Sequence, residues 1–306
     1  MLTASALGQT YPDRPIKIVV AEVGTQSDLM ARAIAPSLER ALGQPVVIDN
    51  RGGAGGTIGA QRVVQARADG YTLLVAGVNN IVLAPLQRAD MLYAPATDLV
   101  PLGGIARVPY GIAIASGIPA ENLAEFIAYA RAHPGKLSFA SSGAGSSSQL
   151  AIELLKSRAA LDILHVPYRN TVGAIPDLIS GRIDVLAGDL ALLRRQAKQG
   201  PIRLIAVAGA RRAEAMPELP TVAEQGFPGY AVEPWSGLFA PAGIPADVEE
   251  MLSRALADAL RSEDVRRQFA TLGYEPLELS GTALRAMIST EAIKYSRVLD
   301  GVRIQQ

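Results

Sequence analysis

The chain has 306 residues, of which 49% are hydrophobic and only 5% aromatic, and its 29 Lys and Arg balance 29 Asp and Glu. At roughly 150 residues per domain this predicts about two domains with aliphatic cores, and the missing positive surplus excludes a phosphate-neutralising nucleic-acid surface. With no cysteine and only His133 and His165, neither thiolate chemistry nor a metal centre is expected, and no cofactor is predicted.

The N-terminus, Met1 to Gln9, carries an Ala-x-Ala pattern at Ala4 and Ala6. It reads either as the end of a secretory signal whose charged and apolar parts are missing, or as a terminus rich in small residues. No run approaches the ~18 apolar residues of a membrane span, so no membrane insertion is expected. Ile16 to Val20 is an apolar, β-branched strand, followed by a loop from Gly24 to Ser27. A helix opens at Asp28, with Met30, Ile34, Leu38 and Leu42 on one face and Gly43 as its stop. Pro36 within it predicts a kink or a broken ridge. Val46-Val47-Ile48, a glycine-rich loop from Gly52 to Gly56, a helix through Val63 and Val64, and a strand Tyr71 to Val75 running out at Asn79-Asn80 complete this half.

The theme then repeats. Tyr110 to Ala115 is a strand, Leu123 to Ala132 a helix, and Leu137 to Ala140 a short strand leading into Ser141 to Ser148 and a helix with Leu150, Leu154 and Leu155. Ile163 to Val166 is a strand, Tyr168 to Thr171 leads into a helix ending at Gly181, and Ile183 to Leu186 runs out at Asp189, where another helix begins. Arg203 to Ala208 is the next strand; Pro and Gly then cluster between Pro217 and Gly243. Helices from Val248 to Leu260 and from Ser280 to Leu299 end the chain without a sheet of their own. They are expected to pack back on the first half, making that domain discontinuous. Alternating β and α with short connections predicts parallel sheets covered on both faces.

In such sheets ligands sit at the carboxyl ends of the strands, where helix N-termini converge. Four junctions there are small or polar: Gly24 to Asp28, Ser142 to Ser148, Asn170-Thr171 and Gly188-Asp189. Backbone N–H groups and a helix dipole hold an anion without Lys or Arg; Gly143 and Gly145 allow close approach, and the serines add donors. The plainer alternatives are a turn with a serine N-cap, Asp28 and Asp189 as structural N-caps, Arg169 as a solvated helix-start arginine, and His165 as a satisfied core residue. Trp235 reads equally as cleft wall or as domain packing. Two motif matches fail. In Gly53-Ala54-Gly55-Gly56-Thr57-Ile58-Gly59 the third glycine of a dinucleotide loop falls one place late, and the serine loop lacks the second glycine of a nucleophile elbow. No residue set supports an enzyme.

Tyr11-Pro12-Asp13-Arg14-Pro15-Ile16, Asn50-Arg51-Gly52-Gly53-Ala54-Gly55-Gly56 and Asp69-Gly70-Tyr71-Thr72-Leu73 resemble signatures of the tripartite tricarboxylate transporter receptors, the Bug/TctC family. So do Ser142-Gly143-Ala144-Gly145-Ser146, Val166-Pro167-Tyr168 and Trp235-Ser236-Gly237-Leu238, in order along nearly the whole chain. The resemblance implies an α/β fold of two Rossmann-like domains joined by hinge strands, a type II periplasmic binding protein, with domains at about 1–105 plus 227–306 and 106–226. It implies an extracytoplasmic receptor that closes on a small carboxylate, aliphatic or aromatic, and delivers it to the membrane permease of a tripartite transporter. A monomer in the periplasm is expected. An enzyme in the same cleft (a hydrolase or nucleotide-dependent transferase) and a receptor feeding a sensor are the alternatives. Carried over by position, the ligand residues are Gly24, Thr25, Gln26 and Asp28, with Asn79, on one side. On the other are Ser142, Gly143, Ala144, Gly145, Ser146 and Ser147, with Tyr168, Asn170, Thr171 and Asp189 nearby. The chain departs from the pattern at Glu22-Val23-Gly24-Thr25, where Pro-Pro-Gly-Gly is usual. It departs again at Gln149 in place of histidine, Asn170 in place of glycine, and Gly52 in place of proline. Glu22 facing an anion would repel it unless the ligand offers a donor or the side chain turns away.

Overall fold

The computed structural model describes residues 11–20, 25–52, 56–200 and 202–300. β1 (Ile16–Val20) is the apolar centre of the first sheet, buried except at Lys17. α1 (Gln26–Leu42) follows, then β2 (Val46–Asn50), α2 (Thr57–Val64) and β3 (Thr72–Gly77). β2 and β3 both pair in parallel with β1, as β-α-β crossovers require. Thr25, not Asp28, is the N-cap of α1: its side chain accepts from the Asp28 amide, and Asp28 lies one turn in, 2% exposed. Pro36 neither breaks nor ends α1, which runs 17 residues to a left-handed Gly43. One missing backbone bond is outweighed by a buried face of Met30, Ile34 and Leu38.

A wide helical turn, Asn79–Leu83, and two single turns, α3 (Ala84–Gln87) and α4 (Pro95–Asp98), lead to β4 (Leu99–Arg107). The chain then enters the second sheet with β5 (Tyr110–Ala115), α5 (Leu123–Ala132), β6 (Leu137–Ser141), α6 (Ser147–Ala159) and β7 (Ile163–Pro167). α7 (Thr171–Ile179), β8 (Val185–Asp189), α8 (Leu190–Ala197) and β9 (Ile202–Val207) complete it. β10 (Trp235–Pro241) returns to the first sheet, followed by α9 (Ala246–Arg261), α10 (Glu263–Leu272), β11 (Glu275–Pro276) and α11 (Gly281–Asp300).

The first sheet has the order β11-β4-β10-β3-β1-β2 and the second β7-β6-β8-β5-β9. Neither is purely parallel, which corrects the expectation from the alternating pattern. β10 runs antiparallel to β3 and β4, and β5 antiparallel to β8 and β9. β4 and β10 are strands that the sequence pattern does not announce. Gly77 shows how tightly β10 docks, since a Cβ there would lie 2.0 Å from the Trp235 carbonyl. α9 packs against α1 and β4, and α11 against β4 and the turn at Asn79. No helix among the described residues is long and apolar enough to cross a membrane.

The two sheets are joined where β4 becomes β5 and where the chain returns toward β10. There the Val108 amide donates to the Pro234 carbonyl at 2.8 Å, and the Val232 amide to the Ala208 carbonyl at 2.8 Å. The crossing segments therefore lie side by side, and the carboxyl ends of β1, β3, β6 and β8 come together beside them.

Candidate functional site

Gly24 and Glu22 lie outside the described residues. Thr25, Gln26, Ser27 and Asp28 begin α1, and their loop is tied backward into the first sheet. The buried Asp28 carboxylate accepts from Arg32 Nε at 3.0 Å and from Asn50 Nδ2 at 2.9 Å. Ser27 Oγ reaches Ser236 Oγ of β10 at 3.2 Å.

Opposite lies the turn between β6 and α6. Gly143 and Gly145 take φ of 107° and 77°, which only glycine adopts without strain. Ser146 caps α6, accepting from the Gln149 amide at 3.3 Å and donating to the Gly143 carbonyl at 2.7 Å. Ser148 Oγ accepts from the Ser142 amide at 2.9 Å. The amides of Gly143 and Gly145 are committed inside the loop, to Ser141 Oγ at 3.1 Å and to Gln149 Oε1 at 2.7 Å. Ser147 differs from its neighbours. It is 1% exposed, and the one hydrogen-bonding group that faces its Oγ among the described residues is the Tyr110 hydroxyl. Beside it the buried Tyr110 hydroxyl is held above its ordinary pKa by desolvation, an effect that Ser147 and Gln26 oppose and Asp189 reinforces. The start of α1 and the start of α6 therefore meet at Tyr110.

The two sides also touch directly. The Ser147 amide donates to Asn79 Oδ1 at 3.1 Å, and Gln87 Nε2 donates to the Gly145 carbonyl at 3.1 Å. Both bonds join the first sheet's side of the cleft to the second's.

The remaining candidates spread along the second sheet. The Tyr168 amide donates to the Ser141 carbonyl at 3.0 Å, which places that residue beside the serine loop, while its hydroxyl donates to Asp177 at 2.5 Å. Asn170 caps α7, accepting from the Gly173 amide at 2.8 Å, and Thr171 packs over Gly188. Asp189 caps α8 through the Leu192 amide at 3.0 Å. Burial holds the Asp189 carboxyl above its ordinary pKa, against opposing contributions from the Leu192 amide, Arg195 and Tyr274.

His165 is satisfied on both nitrogens, by Ser141 Oγ at 2.7 Å and Gln149 Nε2 at 3.1 Å, and stacks on Phe139. Trp235 is buried in the first sheet, where its Nε1 donates to Glu291 at 2.6 Å, so packing is its role. Gln87, Tyr110 and Tyr274 belong to the site region but stand out in no motif. Tyr110 begins a strand and Gln87 ends a single helical turn; only the tertiary fold brings them to the serine loop. Among the described residues no group of three His, Asp or Glu could hold a metal ion. The arrangement brings hydroxyl and amide groups together at two helix starts, a setting suited to holding an anion.

Residues 30–303 match the model of the tripartite tricarboxylate transporter family receptor. The chain is 32% identical to the protein BugT of Bordetella pertussis over 300 residues, 97% of this chain and 92% of that one. Rpa4515 of R. palustris, solved with adipate, superposes with a TM-score of 0.87 at 33% identity, covering 95% of this chain and 98% of that one. MatC of Rhodopseudomonas palustris, solved with bound malate, gives a TM-score of 0.84 at 30% identity, covering 94% and 100%. The fold is thus that of a two-domain type II binding protein, and the family is one of extracytoplasmic substrate-binding receptors, not enzymes. With almost its entire length matched in both sequence and structure, the chain belongs to the tripartite tricarboxylate transporter receptor family.

Proposed function

We propose that this receptor captures a small dicarboxylate between its two domains and presents the closed complex to the membrane permease of a tripartite transporter. The observation that carries the reading is Ser147, a buried hydroxyl at the start of α6 that faces only the Tyr110 hydroxyl among the described residues. Two buried hydroxyls facing each other leave hydrogen-bonding capacity over, and a carboxylate oxygen would complete it. Adipate in one relative and malate in another support the substrate class. The domains are taken as about 1–105 with 227–306, and 106–226, turning about the two crossing segments. Thr25, Gln26 and Asn79 would serve one end of the ligand and Ser142 to Ser147 the other. Tyr168, Asn170, Thr171 and Asp189 would shape the wall beside the serine loop. Asp28, its carboxylate engaged by Arg32 and Asn50, would hold the first loop in position. A bound ligand touching both sides favours the closed state by its differential contacts. The protein is expected to act in the periplasm as a monomer.

Isothermal calorimetry with adipate, malate and benzoate tests the reading, with thermal unfolding in parallel. A ligand at 100 times its Kd adds about 2.7 kcal/mol of stability. Ser147→Leu should abolish binding of whichever acid binds while leaving the circular dichroism spectrum intact. No heat and no stabilisation with any of the three acids would overturn the substrate class. Co-purification with the permease subunits tests the partner.

A further inference from the structure

The serine loop is held from behind by a polar circuit that neither glycine motif nor helix cap explains. The Gly145 amide donates to Gln149 Oε1 at 2.7 Å; the same side chain then presents Nε2 to His165 Nδ1 at 3.1 Å. On the other face of the ring, His165 Nε2 lies 2.7 Å from Ser141 Oγ. That oxygen also receives the Gly143 amide at 3.1 Å and gives its proton to the Gly143 carbonyl at 3.1 Å.

Donor counting leaves one arrangement. An amide N–H can only donate, so Gln149 must turn its oxygen to Gly145 and its NH2 to the ring, and Nδ1 must be bare. A neutral ring with a bare Nδ1 carries its hydrogen on Nε2, which donates to Ser141 Oγ and leaves the serine proton for the Gly143 carbonyl. The Ser141 end thus accommodates the tautomer that the Gln149 end requires. Gln149 and Ser141 are wholly buried, so no bulk water is at hand to repair a mismatch.

We infer that Gln149 and His165 are positioning residues for the ligand loop, and that the loop keeps its binding shape only while His165 is neutral with its hydrogen on Nε2. The inference rests on the proposed binding role of the serine loop. A proton on Nδ1 would point at the Gln149 NH2. Rotating that amide would satisfy the ring but set NH2 against the Gly145 N–H. Either way two donors collide, and Gly145, two residues from Ser147, loses its tie.

The surroundings oppose protonation. Burial, and then the charge of Lys156, hold the His165 pKa below its ordinary value. Lys156 comes from α6, where it is paired with Glu153 at 3.0 Å and lies over the Phe139 ring. β6 offers the imidazole only Phe139 and Ser141, which carry no charge.

Nitrogen-15 NMR of the two histidines, without ligand, tests the tautomer. His133 is an internal reference, because its Nδ1 lies 2.8 Å from the Tyr129 carbonyl and must carry hydrogen there. At pH 7.5 His165 should show the opposite pattern, a bare Nδ1 and a protonated Nε2. A cationic His165, or one protonated on Nδ1 alone, would overturn the inference. Adipate calorimetry at pH 7.5 and 5.5 tests the consequence. Relative to His165→Asn at the same pH, which cancels the titration of adipate itself, wild type should lose up to about tenfold in affinity per pH unit once the ring protonates. Gln149→Glu, which accepts from both Gly145 and a cationic ring, should remove that acid loss. Where the nitrogen-15 spectrum shows a cationic His165 at pH 5.5, equal pH profiles for wild type and His165→Asn would also overturn the inference. If adipate and malate bind at neither pH, the receptor reading fails. The tautomer pattern, together with faster Gly145 amide exchange in wild type than in His165→Asn at acid pH, still decides the circuit.

Discussion

The loop that starts α1 and the loop that starts α6 meet at Tyr110, yet they are secured by different chemistry. The first is anchored by charge: a buried carboxylate, Asp28, grips Arg32 and Asn50 behind the loop. The second is anchored by neutral groups alone, Ser141, Ser146, Ser148, Gln149 and His165. Asp28 is thereby already neutralised, its charge engaged within its own domain. In the neutral loop the Ser147 hydroxyl faces only the Tyr110 hydroxyl among the described residues. One side supplies rigidity by ion pairing, and the other supplies open hydrogen-bonding capacity.

The comparison breaks most visibly at Asp28. Asp28→Ala takes the buried acceptor from Asn50 and from the half-exposed Arg32, and should cost about 2–3 kcal/mol in urea unfolding. An effect on binding without loss of stability would show instead that the carboxylate works on the ligand. Gly145→Ala comes next. It forces a side chain into the left-handed region, with a Cβ 2.9 Å from Gln87 Oε1, and should cost about 1–2 kcal/mol together with most of the affinity for whichever acid the proposed site binds. The smallest effect belongs to Asn79→Ala. It removes the acceptor of the Ser147 amide, worth about 1 kcal/mol, and X-ray scattering of the ligand-free protein should show a more open particle. An unchanged radius would show that Asn79 does not hold the two sides together.

Much of this is legible from local pattern. β1, β2 and β3 are apolar runs punctuated by glycine, and the serine loop declares itself by composition. The helix cap falls three residues earlier than the pattern suggests, because Thr25 and Asp28 are both good caps and only the fold decides that Asp28 turns inward. β4 and β10 are illegible for a different reason. Pro101, Gly103 and Gly104 in one and Ser236 and Gly237 in the other carry little intrinsic strand preference; each strand owes its extended form to the other and to β3. The Gln149–His165 pair is visible only as a departure from a familiar motif. Its meaning depends on β7 lying beside β6, a relation no local window contains.

The position of β10 bears on how the chain folds. It sits between β3 and β4, yet its first residue, Trp235, comes 128 positions after the last residue of β4, Arg107. Until residue 241 is available, β3 and β4 have no strand to join them, and the first sheet is left with unpaired edges. The second sheet has no such dependence, since all five of its strands lie within residues 110–207. It can assemble from contiguous chain, and the first sheet closes afterward around long-range pairings that form slowly. Residues 11–107 made alone should therefore fail to fold.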